Sequence, residues 1–444
     1  MYIASYLLFR HPDIKIQIID AAAEIIDEQK LISMIENSLP NILGFSVVTG
    51  TVNSIKRIIS GLSPNRRPKL ILAGGPHVTA LPESLFPEID ICILKEGELT
   101  FSELISAYRE QRDVYSIEGI AYQKDAKLII NFPRPFIKNL DELPFPAREL
   151  INPQNYEHIF KYSKGLFTTV ITSRGCYHDC AFCANRCLWN GTVRQRSVDN
   201  VILEITLLLE QGYSQIYIDD DNFLQDIDYA FKFCNEILRR RLNFTWMCHA
   251  RIGDYPSELM HMLFLAGCKE IQVGVETLNQ KTLNAINKKV KIESIFSCID
   301  QMKRNGIYSW ATFIIGLPDE TPQDIKNTVL QSLKLDPTYA TFIYLLPFPG
   351  TKIFDQYNHQ NYIITTNYDK YTWHGHPIIH TNTICPDELK RLRRFAYLKF
   401  YLRIKPIVRF LVMLLHYRIP GSMWKNFIRF FHLGVSKQSR KLED

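Results

Sequence analysis

The hydrophobic positions of this chain alternate between two patterns, which predict strands and helices in turn. Short apolar runs rich in Ile, Val and Leu predict buried strands, and apolar residues three and four positions apart predict helices between them. This alternation is typical of parallel β/α units. In the first third of the chain, strands are predicted at residues 15–19, 42–48, 69–73 and 89–94, and helices at residues 28–37, 53–62 and 98–110.

The chain opens on a predicted helix rather than on a strand. We therefore expect a front domain of the Rossmann or flavodoxin type, doubly wound, that lacks its first strand. A hairpin is predicted at residues 117–122 and 127–131, and a proline-studded connector follows at residues 139–146. These signals predict a front domain over residues 1–135 and a linker over residues 136–164.

A second run of β/α units is predicted over residues 165–385. Its strands are predicted at residues 167–173, 215–219, 244–249, 270–275, 308–315 and 340–345, with helices at residues 198–211, 226–241, 257–265, 292–305 and 321–335. Six units predict a partial (β/α)6 barrel, short of the eight that close a full one. Polar or special residues follow each strand. Because active sites of such barrels are built from these loops, we expect the loops to meet at one mouth.

Composition and charge narrow the class of protein. The 444 residues are 46% hydrophobic and 22% charged, which excludes disordered and low-complexity classes. Residues 386–444 carry fourteen Lys and Arg against four Asp and Glu, mixed with aromatic residues. This helical, basic region fits a cap on the barrel, a segment that contacts a membrane surface, or a nucleic-acid patch. Without a signal peptide or a long apolar run, we expect a cytoplasmic protein, with a membrane-peripheral one as the alternative.

Four of the ten cysteines lie within twelve residues, in the order Cys176, Cys180, Cys183 and Cys187. Three thiolates on one short loop suit three irons of a 4Fe-4S cluster, and the fourth iron is then open to a small molecule. The alternative is a structural zinc site with Cys187 as fourth ligand. Zinc sites usually pair two Cys-x-x-Cys motifs well apart in sequence, which this chain lacks. The cysteines elsewhere are expected to be small core residues.

A C-x-x-x-C-x-x-C loop directly after the first barrel strand resembles the radical S-adenosylmethionine (SAM) superfamily. The resemblance implies that Cys176, Cys180 and Cys183 hold a 4Fe-4S cluster whose open iron binds SAM. It also implies reductive cleavage of SAM to methionine and a 5'-deoxyadenosyl radical. The residues that match SAM-binding positions are Phe182, Asp219, Asp221, Arg251, Gly274, Glu276 and Gly316.

Purely structural interpretations stay open for three of these positions. Either aspartate fits a helix N-cap, and Arg251 fits a structural salt bridge. Glu320, in the same motif as Gly316, is expected to be an acid of the first turn of a helix rather than a ligand.

The front domain resembles that of the cobalamin-binding subgroup, which includes methyltransferases and anaerobic ring cyclases. The resemblance rests on residues 44–49, 74–77 and 95–98 and on the connector at residues 143–146. The D-x-H-x-x-G pattern that supplies a lower axial histidine in other cobalamin proteins is absent, so cobalamin is expected to bind without that ligand. Residues that match the cobalamin pattern are Ser46, Thr49, Gly74, Gly75, His77, Glu96 and Gly97.

Two alternatives concern this domain. His77 also fits a loop histidine with no ligand role. The missing first strand fits either a start that lies upstream or a degenerate domain that holds no cobalamin.

The functional hypothesis is a radical SAM, cobalamin-dependent methyltransferase that acts on an unactivated carbon. Its expected partners are a small-molecule or lipid-like substrate and an electron donor such as flavodoxin or ferredoxin; nucleic acid is not expected. One alternative is a cyclase or rearrangement enzyme built from the same parts without methyl transfer. The other is a zinc-stabilised nucleic-acid-binding protein. Substrate identity does not follow from the sequence.

Overall fold

The front domain is a five-stranded sheet in the order β1-β2-β3-β4-β5. The structure is a computed structural model that describes residues 1–373 and 375–409. The strands are β1 (Ile42–Ser46), β2 (Leu70–Gly74), β3 (Ile91–Ile93), β4 (Ile120–Lys124) and β5 (Lys127–Ile130), and the helices are α1 (Tyr2–Arg10), α2 (Glu28–Ser38), α3 (Val52–Ser60), α4 (Pro76–Ala80) and α5 (Glu98–Arg109). The first three strands are parallel and the last two form the predicted hairpin.

Helices cover both faces of this sheet because its central strands are apolar on both sides. Val52 and Ile55 of α3 lie in the core on one face of the sheet, and Leu104 of α5 lies in the core on the other. Both cores also include residues of β2. Because β2 is buried on both faces, its sequence is a continuous apolar run. The predicted Rossmann-like class is confirmed.

The prediction of a strand at residues 15–19 is wrong, because this segment joins no sheet. Within the described part of the chain, β1 pairs only with β2, so its outer edge has no ladder partner. An extended segment without a neighbouring strand makes no ladder hydrogen bonds, whatever its apolar pattern. As expected, α1 precedes every strand of the domain.

The second sheet has six parallel strands in the order β13-β12-β11-β10-β9-β6, and it forms a half barrel. Its strands are β6 (Leu166–Val170), β9 (Tyr213–Ile218), β10 (Thr245–Arg251), β11 (Cys268–Glu276), β12 (Tyr308–Ile315) and β13 (Tyr339–Tyr344), while β7 (Ser173–Arg174) and β8 (Arg194–Gln195) form a short ribbon. The helices are α6 (Asn185–Trp189), α7 (Val198–Glu210), α8 (Ile227–Arg239), α9 (Ser257–Leu265), α10 (Gln280–Ala285), α11 (Ile292–Arg304), α12 (Pro322–Leu335), α13 (Lys352–His359) and α14 (Pro386–Tyr401). All six predicted barrel strands are confirmed.

Aromatic side chains close the half barrel at the end opposite the carboxyl ends of its strands. Phe160 and Tyr162, which precede β6, pack with Tyr217 and Met247 inside the sheet. The hydroxyl of Tyr162 donates to buried Glu270 at 2.7 Å. The open end of the half barrel is therefore its mouth, where the strand-end loops meet.

Helix α14 packs on β13 and α12, which confirms the cap among the three interpretations for residues 386–401. The Tyr401 hydroxyl donates to the carbonyl of Ala340 at 2.8 Å, and Phe400 is fully buried. Residues 410–444 lie outside the described residues, so the predictions made for them stay predictions. In the part of the chain that the structure describes, no helix has the length and hydropathy needed to cross a membrane.

Candidate active site at the mouth of the half barrel

The cysteine loop runs from β7 to α6 at the mouth of the half barrel. Its three thiols are free, and Cys183 is exposed while Cys176 and Cys180 are partly covered. Burial raises the pKa of the Cys176 thiol, and nearby Asp221 and Cys180 raise it further. Because iron binds the thiolate, a metal would have to displace this proton.

Asp220 fixes the start of this loop. Its carboxylate is 2% exposed and accepts from the amides of Thr172 at 2.6 Å and Ser173 at 3.1 Å. It also accepts from the hydroxyls of the same two residues at 2.5 and 2.7 Å. Burial raises the pKa of Asp220 to about 6. The strand-end loop after β9 therefore holds the residues that precede Cys176 in one place.

Two further contacts from the loop after β9 fix Gly175. Asp221 accepts from its amide at 3.0 Å, and the Gln225 side chain donates to its carbonyl at 3.1 Å. Gly175 has φ +97°, and a Cβ there would come within 2.0 Å of the Thr192 carbonyl. Only glycine fits this turn.

The far end of the loop is clamped by the opposite side of the mouth. The Ala181 amide donates to Ile286 at 2.9 Å, and its carbonyl accepts from the amide of Ile353 at 3.0 Å. The Asn287 side chain donates to the carbonyl of Asp179 at 2.7 Å. Contacts from α13 and from the two residues that follow α10 therefore help define where the thiols lie before any metal is bound.

Asp219 and Arg251 lie beside the loop with unused hydrogen-bonding capacity. Asp219 is exposed, and its carboxylate lies 4.0 Å from His249. The Nε and one terminal nitrogen of Arg251 are buried and make no hydrogen bond. Arg251 is close enough to Cys176 to lower the pKa of that thiol, against the larger effect of burial. No salt bridge occupies Arg251 among the residues that the structure describes, and a buried guanidinium without an acceptor fits a carboxylate ligand such as that of SAM.

Glu276 forms a buried ion pair across the mouth from the cysteine loop. Its carboxylate accepts from the ammonium of Lys288 at 2.7 Å, and both side chains are buried. The same ammonium lies 5.8 Å from the Phe182 ring centroid. Gly274 leaves room for this pair, since a Cβ there would come within 2.2 Å of the Glu276 carboxylate. The candidates Phe182, Gly274 and Glu276 therefore lie together around Lys288, which the sequence had not indicated.

Glu320 shapes the turn after β12. The prediction that it is an acid of the first turn of a helix is wrong. It lies before Thr321, the N-cap of α12, and accepts from the amides of Gly316 at 3.2 Å and Leu317 at 3.0 Å. Burial raises its pKa to about 8. The carboxylate therefore holds the glycine turn rather than the helix.

The front domain presents its candidate residues at the carboxyl edge of its sheet. Ser46 ends β1 and is exposed, while Gly74 ends β2 and Gly75 has φ +115°. A Cβ at Gly75 would come within 2.7 Å of the Val47 carbonyl, so this turn requires glycine.

His77 is held between two hydroxyls. Its Nδ1 lies 3.1 Å from Thr49 Oγ1, and its Nε2 lies 2.8 Å from Ser84 Oγ. Burial lowers the pKa of His77 to about 4, so the ring is neutral near pH 7. Both ring nitrogens are engaged, as a structural histidine requires.

Glu96 connects the front domain to the cysteine loop. Its carboxylate accepts from Arg174 at 2.7 Å and from Arg194 at 2.8 Å, and Glu98 accepts from the same Arg174 at 2.6 Å. Gly97, between the two glutamates, packs against Ile3, whose Cδ1 would lie 3.0 Å from a Cβ there. Arg174 stands two residues before Cys176, so a buried ion network ties the edge of the front sheet to the cysteine loop.

Cys187 lies where the barrel meets the front domain. Its Sγ would lie 2.9 Å from a Cβ at Gly350, beside Ala80 of the front domain. Among the described residues, no three His, Cys, Asp or Glu side chains converge on one ion. This does not bear against a cubane, in which each thiolate binds a different iron. Five of the remaining cysteines are buried as expected, but Cys385 is exposed.

Two family models match the chain. The B12 binding domain matches residues 1–105, and the Radical SAM superfamily matches residues 170–331. An uncharacterized methyltransferase of Pyrococcus horikoshii is 30% identical over 416 residues, which cover 92% of this chain and 88% of the relative. The anaerobic magnesium-protoporphyrin IX monomethyl ester cyclase of Rubrivivax gelatinosus is 26% identical over 350 residues, which cover 76% of this chain and 62% of the cyclase.

A solved structure has the same fold. It is the radical S-adenosylmethionine methyltransferase TsrM from Kitasatospora setae with cobalamin and a [4Fe-4S] cluster bound. The TM-score is 0.66 at 20% identity, over 81% of this chain and 72% of TsrM. The cofactors of this family are the 4Fe-4S cluster, SAM and cobalamin. The chain belongs to the radical SAM superfamily, in the subgroup that carries a cobalamin-binding domain before the barrel.

Proposed function

We propose that this chain is a cobalamin-dependent radical SAM methyltransferase that transfers a methyl group to an unactivated carbon of a small molecule. The observation that carries the proposal is the buried network of Glu96 and Glu98 with Arg174. It fixes the carboxyl edge of the front sheet, where doubly wound domains bind their ligands, beside the cysteine loop of the barrel. A methyl carrier in the front domain and a radical generator in the barrel require this arrangement.

The proposed roles follow from position and chemistry. Cys176, Cys180 and Cys183 hold the cluster, while Arg251 pairs with the carboxylate of SAM through its free guanidinium nitrogens. Asp219, exposed at the end of β9, accepts from the SAM amino group. When bound, the cluster and SAM supply reductive cleavage of a sulfonium bond, and cobalamin supplies a methyl carrier.

The remaining SAM candidates are proposed to surround its adenosine. Glu276 holds Lys288 next to Phe182, which forms one wall, and the turn at Gly316 forms another. Asp221 is proposed to act through Gly175, whose amide it accepts, rather than through direct contact with SAM.

For cobalamin, we propose a cradle made mainly of backbone. Ser46, Gly74 and Gly75 line the sheet edge, where glycines permit a close approach. Thr49 and His77 support this edge through their mutual hydrogen bond, so His77 is not an axial ligand in this proposal. Glu96 and Gly97 position the domain against the barrel. The boundaries at residues 1–135, 136–164 and 165–385 are part of the same proposal.

A cyclase or rearrangement reaction without methyl transfer is the second candidate. It is favoured by the likeness to the Rubrivivax gelatinosus cyclase. The matched Pyrococcus horikoshii relative, named a methyltransferase, covers more of this chain at higher identity, which favours methyl transfer. An electron donor such as a flavodoxin or ferredoxin is proposed for either reaction, because reductive SAM cleavage consumes an electron.

Methyl-labelled SAM separates the two reactions. The anaerobically reconstituted enzyme is incubated with a reductant, labelled SAM and a metabolite extract, and the products are resolved by mass spectrometry. Methyl transfer predicts a product that carries the label on carbon, which the Cys180→Ala variant does not form. An unlabelled product whose formation requires Cys180 would support the cyclase instead. Metal analysis adds a check, since iron without cobalt in the reconstituted protein would contradict the cobalamin part.

A further inference from the structure

In residues 402–409, which follow α14, the two arginines turn towards the protein and the apolar side chains turn outward. Leu402 is 64% exposed and Ile404 is 81% exposed, with Ile407 and Val408 at 46% and 49%. Residues 404–409 are helical, so Ile404, Ile407 and Val408 share one face. A helix that packs on a core does the opposite, because its apolar stripe faces the protein.

The charged side chains of this segment gather around one carboxylate. Asp336 accepts from Arg409 at 2.7 Å, and Lys405 and Arg403 lie 3.8 and 3.5 Å from it. Lys303 adds a fourth cation at 3.6 Å. A single carboxylate cannot balance four cations, so this corner keeps a positive excess beside the apolar stripe. The Lys405 side chain is 72% exposed and directs its charge to solvent.

We propose that residues 402–409 form a docking surface for a bilayer that contains anionic lipids. An apolar stripe flanked by cations binds at the boundary between headgroups and acyl chains. There the apolar side chains contact the acyl chains while the cations contact the anionic headgroups. Nucleic acid fits less well, because the exposed face is mainly apolar, with Leu402, Ile404, Ile407 and Val408 beside Lys405. The sequence that follows is also basic and rich in aromatic residues, with six Lys and Arg, two acids and six aromatic residues over residues 410–444.

The position of the surface leaves the mouth of the barrel free. Helix α14 begins beside Gly316, where Leu389 packs against the turn after β12, and ends beside Ala340 at the start of β13. Residues 402–409 therefore lie at the end of the barrel opposite the cysteine loop. Contact with a membrane would hold the enzyme at the bilayer without covering its active site.

Flotation with vesicles tests the proposal on the full chain. Vesicles of phosphatidylcholine alone are compared with vesicles of equal parts phosphatidylcholine and phosphatidylglycerol. We expect flotation with the anionic vesicles that falls as salt is raised, and little with phosphatidylcholine alone. Ile404→Ser should lower the partition coefficient about tenfold, from the loss of one buried apolar side chain. Lys405→Gln should lower it about fivefold.

Ile25→Ser is the matched control, because Ile25 is 90% exposed but lies in the front domain. It should float like the wild type, and SAM cleavage should be unchanged in all three variants. Failure of the wild type to float would overturn the proposal, as would equal flotation of the Ile404→Ser and Ile25→Ser variants. A dimer in sedimentation velocity that Ile404→Ser dissociates, with flotation unchanged, would assign the surface to a second copy. Binding to RNA but not to vesicles would also overturn the proposal.

Discussion

Replacement of Asp220 by Ala should loosen the cysteine loop, whereas the same change at Asp219 should not. The Asp220 carboxylate is the acceptor for the buried amides of Thr172 and Ser173. A buried donor without an acceptor costs about 1–3 kcal/mol, so two amides represent about 4 kcal/mol. Removal of a carboxylate whose pKa burial has raised to about 6 offsets part of this loss. We expect a net destabilisation of about 2 kcal/mol.

The assay is a comparison of the two variants after anaerobic reconstitution. A loss of about 2 kcal/mol should lower the midpoint of thermal unfolding by about 2 °C in a protein of this size. Because Thr172 and Ser173 precede Cys176, the Asp220→Ala variant should also retain less iron. Asp219→Ala removes an exposed carboxylate that lies 4.0 Å from His249, too far for a hydrogen bond. This variant should therefore keep its stability and iron but bind SAM more weakly. Equal melting and equal iron in both variants would refute the reasoning.

Three further predictions concern single side chains. Arg251→Met should weaken SAM binding about 30-fold in equilibrium dialysis, because a charge-assisted pair is worth about 2 kcal/mol. It should have little effect on unfolding, since two of the guanidinium nitrogens have no partner among the described residues. An unchanged affinity would contradict the role. His77, whose pKa burial lowers from 6.5 to about 4, contributes stability that is present above pH 6.5 and lost as the pH falls toward 4, since the unfolded chain takes up the proton first. His77→Gln should therefore flatten the pH dependence of unfolding in that window by about 3 kcal/mol, and an unchanged slope would show that His77 is not the group that titrates. Cys187→Ala should retain the iron of the wild type, while Cys180→Ala loses it; equal iron loss in both would restore Cys187 as a ligand.

The barrel could be predicted from sequence because each of its strands carries its own apolar run. The strand predicted at residues 15–19 failed because a strand also requires a neighbour, and the apolar pattern of a segment says nothing about its neighbours. Asp220 was missed although the signal was present: side chains alternate along an extended segment, so the middle of three aspartates faces away from its neighbours and into the protein. The resemblance to SAM-binding positions indicated only the two outer aspartates, Asp219 and Asp221.

Ion pairs between residues that are distant in the sequence could not be predicted from the sequence. Glu96 and Arg174 are 78 residues apart, and each is an ordinary charged residue after a strand. Only the docking of the two domains brings them together and reveals that Glu96 serves the interface. Lys288 similarly acquires its role from Glu276 across the mouth, since nothing in the segment around it distinguishes this lysine from its neighbours.

The most direct test of the central claim is SAM cleavage by the reconstituted enzyme, compared with its Cys180→Ala variant. The proposal predicts a broad iron-sulfur absorbance and, with a reductant, release of 5'-deoxyadenosine from SAM, both of which the variant loses. A protein that takes up stoichiometric zinc in place of iron and leaves SAM intact would contradict it.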